Sequence, residues 1–230
     1  MKLDYISILA GGNCLCNCDF CIGKNNRKNE KPHFADYEII RKFIRKHSDK
    51  TNEISISGSS SDPLFAILSR LIICGIIGEF PRLKTSLHTH VFNDLTYELY
   101  WIVDELCVSI NNKQDMEDFL ALELPIKKIR VSTVVTSKSL EWLNTGEIFK
   151  ISANRYTFRK NVYEPTISFP KVEGKVIGKL FGNDLMKYNN STVAFWNYKN
   201  TNKEVKAKYL WNDGVIRNQD YWEDFKKESE

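Results

Sequence analysis

Segments with strand-like and helix-like periodicity alternate along the first two thirds of the chain, and this feature limits the fold most. Residues 53–57 alternate apolar and polar side chains, as a half-buried strand does. Residues 36–46 instead carry apolar side chains at helical spacing, with Asp36 as the expected N-cap. Further strands are predicted just before Gly11 and at 83–88, 106–110, 129–135 and 148–152. Further helices are predicted at 64–80, from Asn93 or Asp94 to 103, at 114–122 and at 137–143. This order is typical of a parallel α/β sheet with right-handed crossovers.

The length of this region and the polarity of its strands favour an open structure. A closed eight-unit barrel takes about 250 residues, so only about six strand–helix units fit before residue 154. Each predicted strand has one apolar and one polar face, whereas a filled barrel interior is lined by Val, Ile and Leu. The polar residues are Ser55, Ser57, Lys84, Ser86, His88, Cys107, Ser109, Arg130 and Ser132. We therefore expect the polar faces to line an open cavity.

Helical periods stop after residue 154. Segments at 156–160, 175–181, 192–198 and 206–211 are predicted strands, separated by turns rich in Gly and Asn. We interpret them as a small C-terminal antiparallel β appendage that could continue one edge of the sheet.

A compact group of cysteines follows the first predicted strand and the Gly11, Gly12 and Asn13 turn. Cys14, Cys18 and Cys21 have C-x3-C-x2-C spacing, and the aromatic Phe20 directly precedes the last one. Thiolates are soft ligands that suit iron–sulfur clusters or zinc better than hard cations. Three thiols on a four-iron cluster would leave one iron open to another ligand.

This motif resembles the CxxxCxxC signature of the radical S-adenosylmethionine (radical SAM) enzymes. The resemblance implies an incomplete (β/α)6 TIM-like barrel at residues 1–154. It does not cover residues 155–230, which we interpret from their own pattern as a β-rich extension that could face the substrate. It also implies a 4Fe–4S cluster on Cys14, Cys18 and Cys21, with S-adenosylmethionine (SAM) bound to the open iron. An electron from an external reductant such as flavodoxin or ferredoxin would cleave SAM to methionine and a 5′-deoxyadenosyl radical, which abstracts hydrogen from a substrate.

The resemblance also implies where SAM would bind. After the second strand the family carries a Gly-rich segment, commonly GGE, that holds the SAM ammonium group. This chain has Ser57, Gly58, Ser59 and Ser60 there, without the acidic residue. By topology alone, the further candidate SAM contacts are Ser109, Asn111, Arg130 and Ser132, with Ser152 and Asn154 near the adenine. Arg130 could pair bidentately with the SAM carboxylate.

Several of these residues have simpler interpretations. A structural zinc site could use Cys14, Cys16, Cys18 and Cys21, although structural zinc normally draws on two separated pairs. On the radical SAM interpretation Cys16 is a bystander. Roles in packing, ion pairs or hydrogen bonding are the alternatives to a functional role for Cys74, Cys107, His88, His90, Arg159, Phe195, Trp196, Tyr209 and Trp211.

Composition narrows the setting of the protein. The net charge of +4 permits an anionic substrate but does not indicate nucleic acid. Four of six cysteines lie within eight residues, unlike a secreted disulfide framework, so a reducing cytoplasm is expected. The apolar 64–80 segment is too short to span a membrane. We predict a buried helix there, with Asp62 as its N-cap and Pro63 in its first turn.

The sequence leaves the substrate open. A small molecule, a nucleotide, a peptide or a protein would each be compatible with a radical SAM enzyme of this size. A glycyl-radical-enzyme activase and a peptide-modifying enzyme are both possible within the family. A non-catalytic iron–sulfur or zinc protein that binds a partner is the alternative from a different class.

Overall fold

The computed structural model describes residues 2–12, 14, 16, 18–21, 33–58, 61–92, 97–124, 128–161, 163–197 and 205–218. The chain forms two compact units. Unit 1 contains Met1–Val91, Leu95–Glu105 and Lys206–Glu230, and unit 2 contains Phe92–Asp94 and Leu106–Val205. Our assignment of residues 1–154 to a catalytic core and of residues 155–230 to a β-rich extension remains a prediction.

The described residues form eleven strands and five helices. The strands are β1 (Tyr5–Ala10), β2 (Glu53–Gly58), β3 (Lys84–Thr89), β4 (Glu105–Ser109), β5 (Lys128–Val135), β6 (Arg155–Lys160), β7 (Lys175–Leu180), β8 (Asn183–Tyr188), β9 (Ser191–Trp196), β10 (Ala207–Leu210) and β11 (Ile216–Arg217). The helices are α1 (Tyr37–His47), α2 (Ile67–Glu79), α3 (Tyr97–Ile102), α4 (Lys113–Leu120) and α5 (Ser137–Asn144). The predicted alternation of strands and helices is confirmed up to α5, and the fold class is α/β.

In unit 1 the strand order is β11-β10-β1-β2-β3. β10, β1, β2 and β3 run parallel, and the short β11 is antiparallel to β10. Ile8 pairs in register with Ile56, and Ile56 with Leu87; all three side chains are fully buried. α1 contacts β1 and buries Ile40 and Phe43. These apolar side chains form the core of unit 1.

The N-terminus of α1 agrees with the sequence prediction. Asp36 accepts a hydrogen bond from the Glu38 N–H at 2.8 Å, which is the expected N-cap interaction.

The burial and the start of α2 both differ from our prediction. Ile67, Leu68 and Leu71 are exposed, so α2 is not a buried helix. The helix begins at Ile67 with Ala66 as the N-cap residue, so Asp62 is not the cap and Pro63 is not in the first turn. The carboxylate of Asp62 instead accepts hydrogen bonds from Thr89 and His90 at the end of β3. The same carboxylate also accepts from the Leu64 N–H, so its local contact is with the turn that precedes α2. No helix in the described part of the chain has the length and hydropathy to cross a membrane.

In unit 2, β6 corrects two of our predictions. Residues 147–150 form a 3₁₀ turn instead of a sixth strand, because Phe149 packs against Tyr156 and stacks on Tyr188. The sixth strand is Arg155–Lys160, which we had placed in the appendage. It pairs in parallel with β5, with Ser132 opposite Thr157.

The C-terminal strands are only partly an antiparallel appendage. β8 pairs antiparallel with both β7 and β9, which gives two hairpins, and β9 pairs in parallel with β6. β8 is absent from our prediction because its sequence, NDLMKY, lacks β-branched residues. β10 pairs in parallel with β1 of unit 1, so the predicted strand at 206–211 does not belong with the hairpins. Within each unit the sheet is open.

Candidate functional site

The cysteine segment and the β2–α2 loop leave the same edge of unit 1. β1 and β2 are parallel, and their last residues, Ala10 and Gly58, are register partners. The chain turns after β1 at Gly12, whose φ of 101° lies in the region that favours glycine. Ligands of parallel α/β proteins bind at the carboxyl ends of the strands. This edge is therefore the candidate functional site.

Backbone hydrogen bonds fold the cysteine segment into tight turns. The Cys18 N–H donates to the Cys16 carbonyl at 2.6 Å, and the Cys21 N–H donates to the Cys18 carbonyl at 3.1 Å. All four cysteines of the segment are half-buried and free of disulfides. The chain thus presents several accessible thiols at the end of β1.

The thiols also interact with one another. A hydrogen bond with the Cys14 side chain raises the pKa of the Cys16 thiol, and burial raises it further. The negative charges of Cys14, Asp62 and Cys18 act in the same direction. Asp62 therefore lies close enough to the cysteine segment to influence it electrostatically.

The donor set at this edge fits an iron–sulfur cluster. Three thiols at motif spacing on one loop supply the soft ligands that such a cluster requires. Among the described residues, no three His, Cys, Asp or Glu side chains are already arranged around a metal position. The thiol side chains would have to reorient when a cluster binds.

The β2–α2 loop folds tightly back on Gly58 and carries a buried polar atom without a partner among the described residues. A Cβ on Gly58 would lie 1.5 Å from the Ser61 carbonyl oxygen, so no larger residue fits this backbone. The Ser61 hydroxyl oxygen is buried and has no hydrogen-bond partner in the described residues. Ser57 donates to the Gly58 carbonyl at 3.4 Å. Ser59 and Ser60 lie outside the described residues.

Asp62 fastens this loop to the end of β3. Its carboxylate accepts from the Leu64 N–H at 2.9 Å, the His90 N–H at 2.6 Å and the Thr89 hydroxyl at 3.0 Å. Burial raises the pKa of the Asp62 carboxyl, although the hydrogen bonds from His90, Leu64 and Thr89 lower it. Sequence reasoning missed this role. The signal in the sequence was an acidic residue four positions after Gly58, in a segment that lacks the acidic residue expected directly after the small residues.

A second contact closes the base of the loop that contains the cysteines. Gly11 and His33 exchange backbone hydrogen bonds of 2.9 and 3.0 Å. The Asn212 side-chain amide lies 3.2 Å from His33 Nε2. A Cβ on Gly11 would overlap the Asn212 side chain at 2.2 Å, so a larger residue here would push Asn212 away from its present position beside His33. The turn between β10 and β11 thereby contributes to the candidate site.

The predicted polar face of β2 and β3 is present and internally hydrogen-bonded. Ser55 and Ser86 are register partners, and both hydroxyls lie within 3.3 Å of His88 Nε2. Ser86 also donates to Glu105. His88 is therefore part of a hydrogen-bonded network on this face of the sheet. This is the simpler interpretation of His88, the alternative being a role in binding substrate.

Unit 2 carries the other predicted SAM contacts. Ser109 ends β4, and the Asn111 side chain accepts from the Val134 N–H at 3.2 Å, which ties the end of β4 to β5. Arg130 and Ser132 share one face of β5 with Thr157 and Arg155 on β6. Arg130 is the third residue of β5, near its amino end.

Ser152 and Asn154 lie at the wrong end of β6 for an adenine contact. Both precede the strand, and Asn154 exchanges hydrogen bonds with Ile129 at the start of β5. This part of our prediction is wrong because it assumed a strand at 148–152.

The other candidates take mainly packing roles. Cys107 is buried, whereas Cys74 is exposed on α2. Phe195 stacks with Phe158 at 5.9 Å between ring centroids. The Tyr209 hydroxyl is hydrogen-bonded to Tyr5, and the Trp211 ring lies under the Arg217 guanidinium at 4.3 Å. Arg159 and Trp196 are register partners on β6 and β9.

Replacing Gly58 by Ala should destabilise the protein by at least about 2 kcal/mol, in the range of overpacked sites. The new Cβ would strike a backbone oxygen, which cannot move away as a side chain can. Urea denaturation measures the effect. Gly78→Ala is the matched control, because nothing lies within 4 Å of its Cβ position and it sits in α2. It should stabilise the protein by about 0.5–1 kcal/mol. Equal effects of the two substitutions would contradict the geometry of the β2–α2 loop.

Comparisons with known proteins identify the fold but no family. No protein-family model matches the sequence, and no curated protein is similar to it.

Solved structures with the same fold include three of SuiB from Streptococcus suis. The structure bound to S-adenosylmethionine matches with a TM-score of 0.64 and 13% identity, over 95% of this chain and 60% of SuiB. A further SuiB structure matches with a TM-score of 0.62 and 12% identity, over 96% of this chain and 64% of SuiB. The structure bound to precursor peptide SuiA matches with a TM-score of 0.54 and 15% identity, over 76% of this chain and 43% of SuiB. This chain thus spans less than two thirds of the length of SuiB.

Proposed function

We propose that this protein is a radical SAM enzyme that modifies a peptide. The observation that carries the proposal is the position of Cys14, Cys18 and Cys21. They follow β1 at the same sheet edge as Gly58 and Asp62, in a chain with the fold of a protein solved with S-adenosylmethionine. These thiols would hold a 4Fe–4S cluster, which would pass one electron from an external donor to SAM and so give methionine and a 5′-deoxyadenosyl radical.

The protein's own residues then have distinct tasks in this proposal. Cys14, Cys18 and Cys21 hold the cluster. Gly58 lets the β2–α2 loop fold back so that the Ser61 carbonyl takes the place of a Cβ, and the buried Ser61 hydroxyl is proposed to accept from the SAM ammonium group. Asp62 keeps the loop in position through Thr89 and His90.

Unit 2 contributes the remaining SAM contacts in the proposal. Ser109, Asn111 and Ser132 lie on or after β4 and β5. Arg130 is left out of this set because it lies near the amino end of β5, whereas ligands bind at the carboxyl ends of the strands. The (β/α)6 half-barrel that would bring them around one ligand is part of the proposal. The hairpins of β7, β8 and β9 are proposed to face the substrate.

A peptide is the substrate class that the comparisons favour. SuiB was solved with the precursor peptide SuiA, and that match covers 76% of this chain. A one-electron donor such as flavodoxin or ferredoxin would supply the electron, in a reducing cytoplasm that keeps the thiols free.

Anaerobic reconstitution tests the proposal. The protein is supplied with iron and sulfide, then incubated with SAM and dithionite, and 5′-deoxyadenosine is measured by mass spectrometry. We expect its release only when reductant is present. A protein that retains zinc after anaerobic purification and forms no 5′-deoxyadenosine would instead be a non-catalytic partner-binding protein.

A further inference from the structure

Arg159 and Trp196 lie side by side on neighbouring parallel strands of unit 2. They are register partners between β6 and β9, so their side chains project from the same face of the sheet. Trp196 is the last residue of β9, and only Lys160 follows Arg159 on β6. Both are therefore at the carboxyl end of their strand, where parallel α/β proteins bind ligands.

Both side chains carry a buried N–H group that nothing in the described residues accepts. Arg159 Nε and Trp196 Nε1 are each shielded from solvent and lack a hydrogen-bond partner there. Leaving such a donor unpaired costs free energy. Two adjacent unpaired donors on one face thus indicate a missing acceptor.

Two further arginines of β5 and β6 project from the same face of the sheet. Arg130 and Arg155 are register partners on the same face as Arg159. The sequences of β5, β6 and β9 contain neither Asp nor Glu. The nearby Asn183 side chain is already committed, because its oxygen accepts from the Asn197 N–H and its nitrogen donates to the Phe181 carbonyl. Among the described residues no acceptor reaches the two donors, and a bound ligand would supply one.

We infer that Arg159 and Trp196 bind a carboxylate group of the peptide substrate. A guanidinium fork donates two parallel hydrogen bonds to the two oxygens of a carboxylate, and the indole N–H adds a third donor to one of them. The inference rests on the proposed function for the nature of the substrate. It adds that the modified peptide has an acidic side chain or a free terminus at this position.

Nuclear magnetic resonance of the tryptophan indole groups tests the inference on the full-length, reconstituted protein. The chain has five Trp residues, so a Trp196→Phe variant assigns the Trp196 indole signal. The probe is N-acetyl-L-glutamate methylamide, and its neutral analogue N-acetyl-L-glutamine methylamide is the matched control. We expect the Trp196 signal to shift saturably with the acidic probe alone.

Substitutions of Arg159 separate charge from geometry. Arg159→Gln should weaken binding of the acidic probe by about tenfold or more, the loss expected for charge-assisted hydrogen bonds. Arg159→Lys should restore part of the affinity, since it keeps the charge but not the fork. Arg82→Gln, at an exposed site in unit 1, should change nothing. If Arg159→Gln fails to fold, the comparison of the two probes on the unaltered protein still decides.

Three results would overturn the inference: no shift of the Trp196 signal, equal shifts with both probes, or displacement of the acidic probe by SAM. The last would assign the site to the SAM carboxylate. Failure of the proposed function gives a different pattern, because probe binding does not require SAM cleavage. A protein that binds the acidic probe but releases no 5′-deoxyadenosine would refute only the proposed function.

Discussion

Replacing Cys18 by Ala should abolish release of 5′-deoxyadenosine and lower the affinity for the cluster by at least about 100-fold. Loss of an outer-shell partner alone costs a metal site about 10–100-fold, and Cys18 is proposed as a direct ligand. The same result is expected for Cys14→Ala and Cys21→Ala. Iron and sulfide content and the visible absorption of the reconstituted protein measure the effect.

Cys16 and Cys74 provide the controls. Cys16 lies in the same loop and its thiol is hydrogen-bonded to Cys14, yet it falls outside the motif spacing. Cys16→Ala should keep most of the iron and the activity, and the exposed Cys74→Ala should keep all of it. Equal loss of metal from Cys16→Ala and Cys18→Ala, together with bound zinc, would indicate a four-cysteine zinc site instead.

Local sequence patterns predicted where the helices and strands lie better than they predicted which strands pair with each other. The apolar spacing and the Asp36 cap of α1 are local features, and both are present in the structure. Pairing between β1 and β10 joins Tyr5 to Ala207, which no short segment can reveal. The predicted strand at 148–152 is wrong for a similar reason. Phe149 packs on Tyr156 and Tyr188, which lie outside that segment, and the backbone there is not extended.

The candidate site likewise combines features that the sequence shows with contacts that only the folded chain shows. The cysteine spacing and Gly58 are recognisable in the sequence, and the structure brings both to one edge of unit 1. The contacts of Asp62 with Thr89 and His90 depend on the packing of β3 against β2, so they were not predictable from the Asp-Pro pair alone. The unpaired donors of Arg159 and Trp196 likewise become visible only once the register of β6 and β9 is known.

Replacing Asp62 by Ala should lower the free energy of unfolding by about 3 kcal/mol. The substitution leaves the Leu64 and His90 N–H groups and the Thr89 hydroxyl without an acceptor, and each unpaired buried donor costs about 1–3 kcal/mol. The gain from no longer burying a charge offsets part of this sum. Asp49→Ala, at an exposed position, should change stability by less than about 0.5 kcal/mol. Similar effects of the two substitutions in urea denaturation would contradict the role of Asp62.

The pH dependence of the same site separates the charge of Asp62 from its hydrogen bonds. Burial raises the pKa of its carboxyl in the folded protein above the ordinary value of 3.8. The folded state therefore binds the proton more tightly than the unfolded state, and the resulting stabilisation is complete below pH 3.8 and is lost as the pH rises through the folded pKa. Asp62→Asn cannot titrate at this position. The stability of the unaltered protein relative to Asp62→Asn should thus decrease from acidic to neutral pH in urea denaturation, whereas an increase would mean that the hydrogen bonds to the carboxylate outweigh its burial.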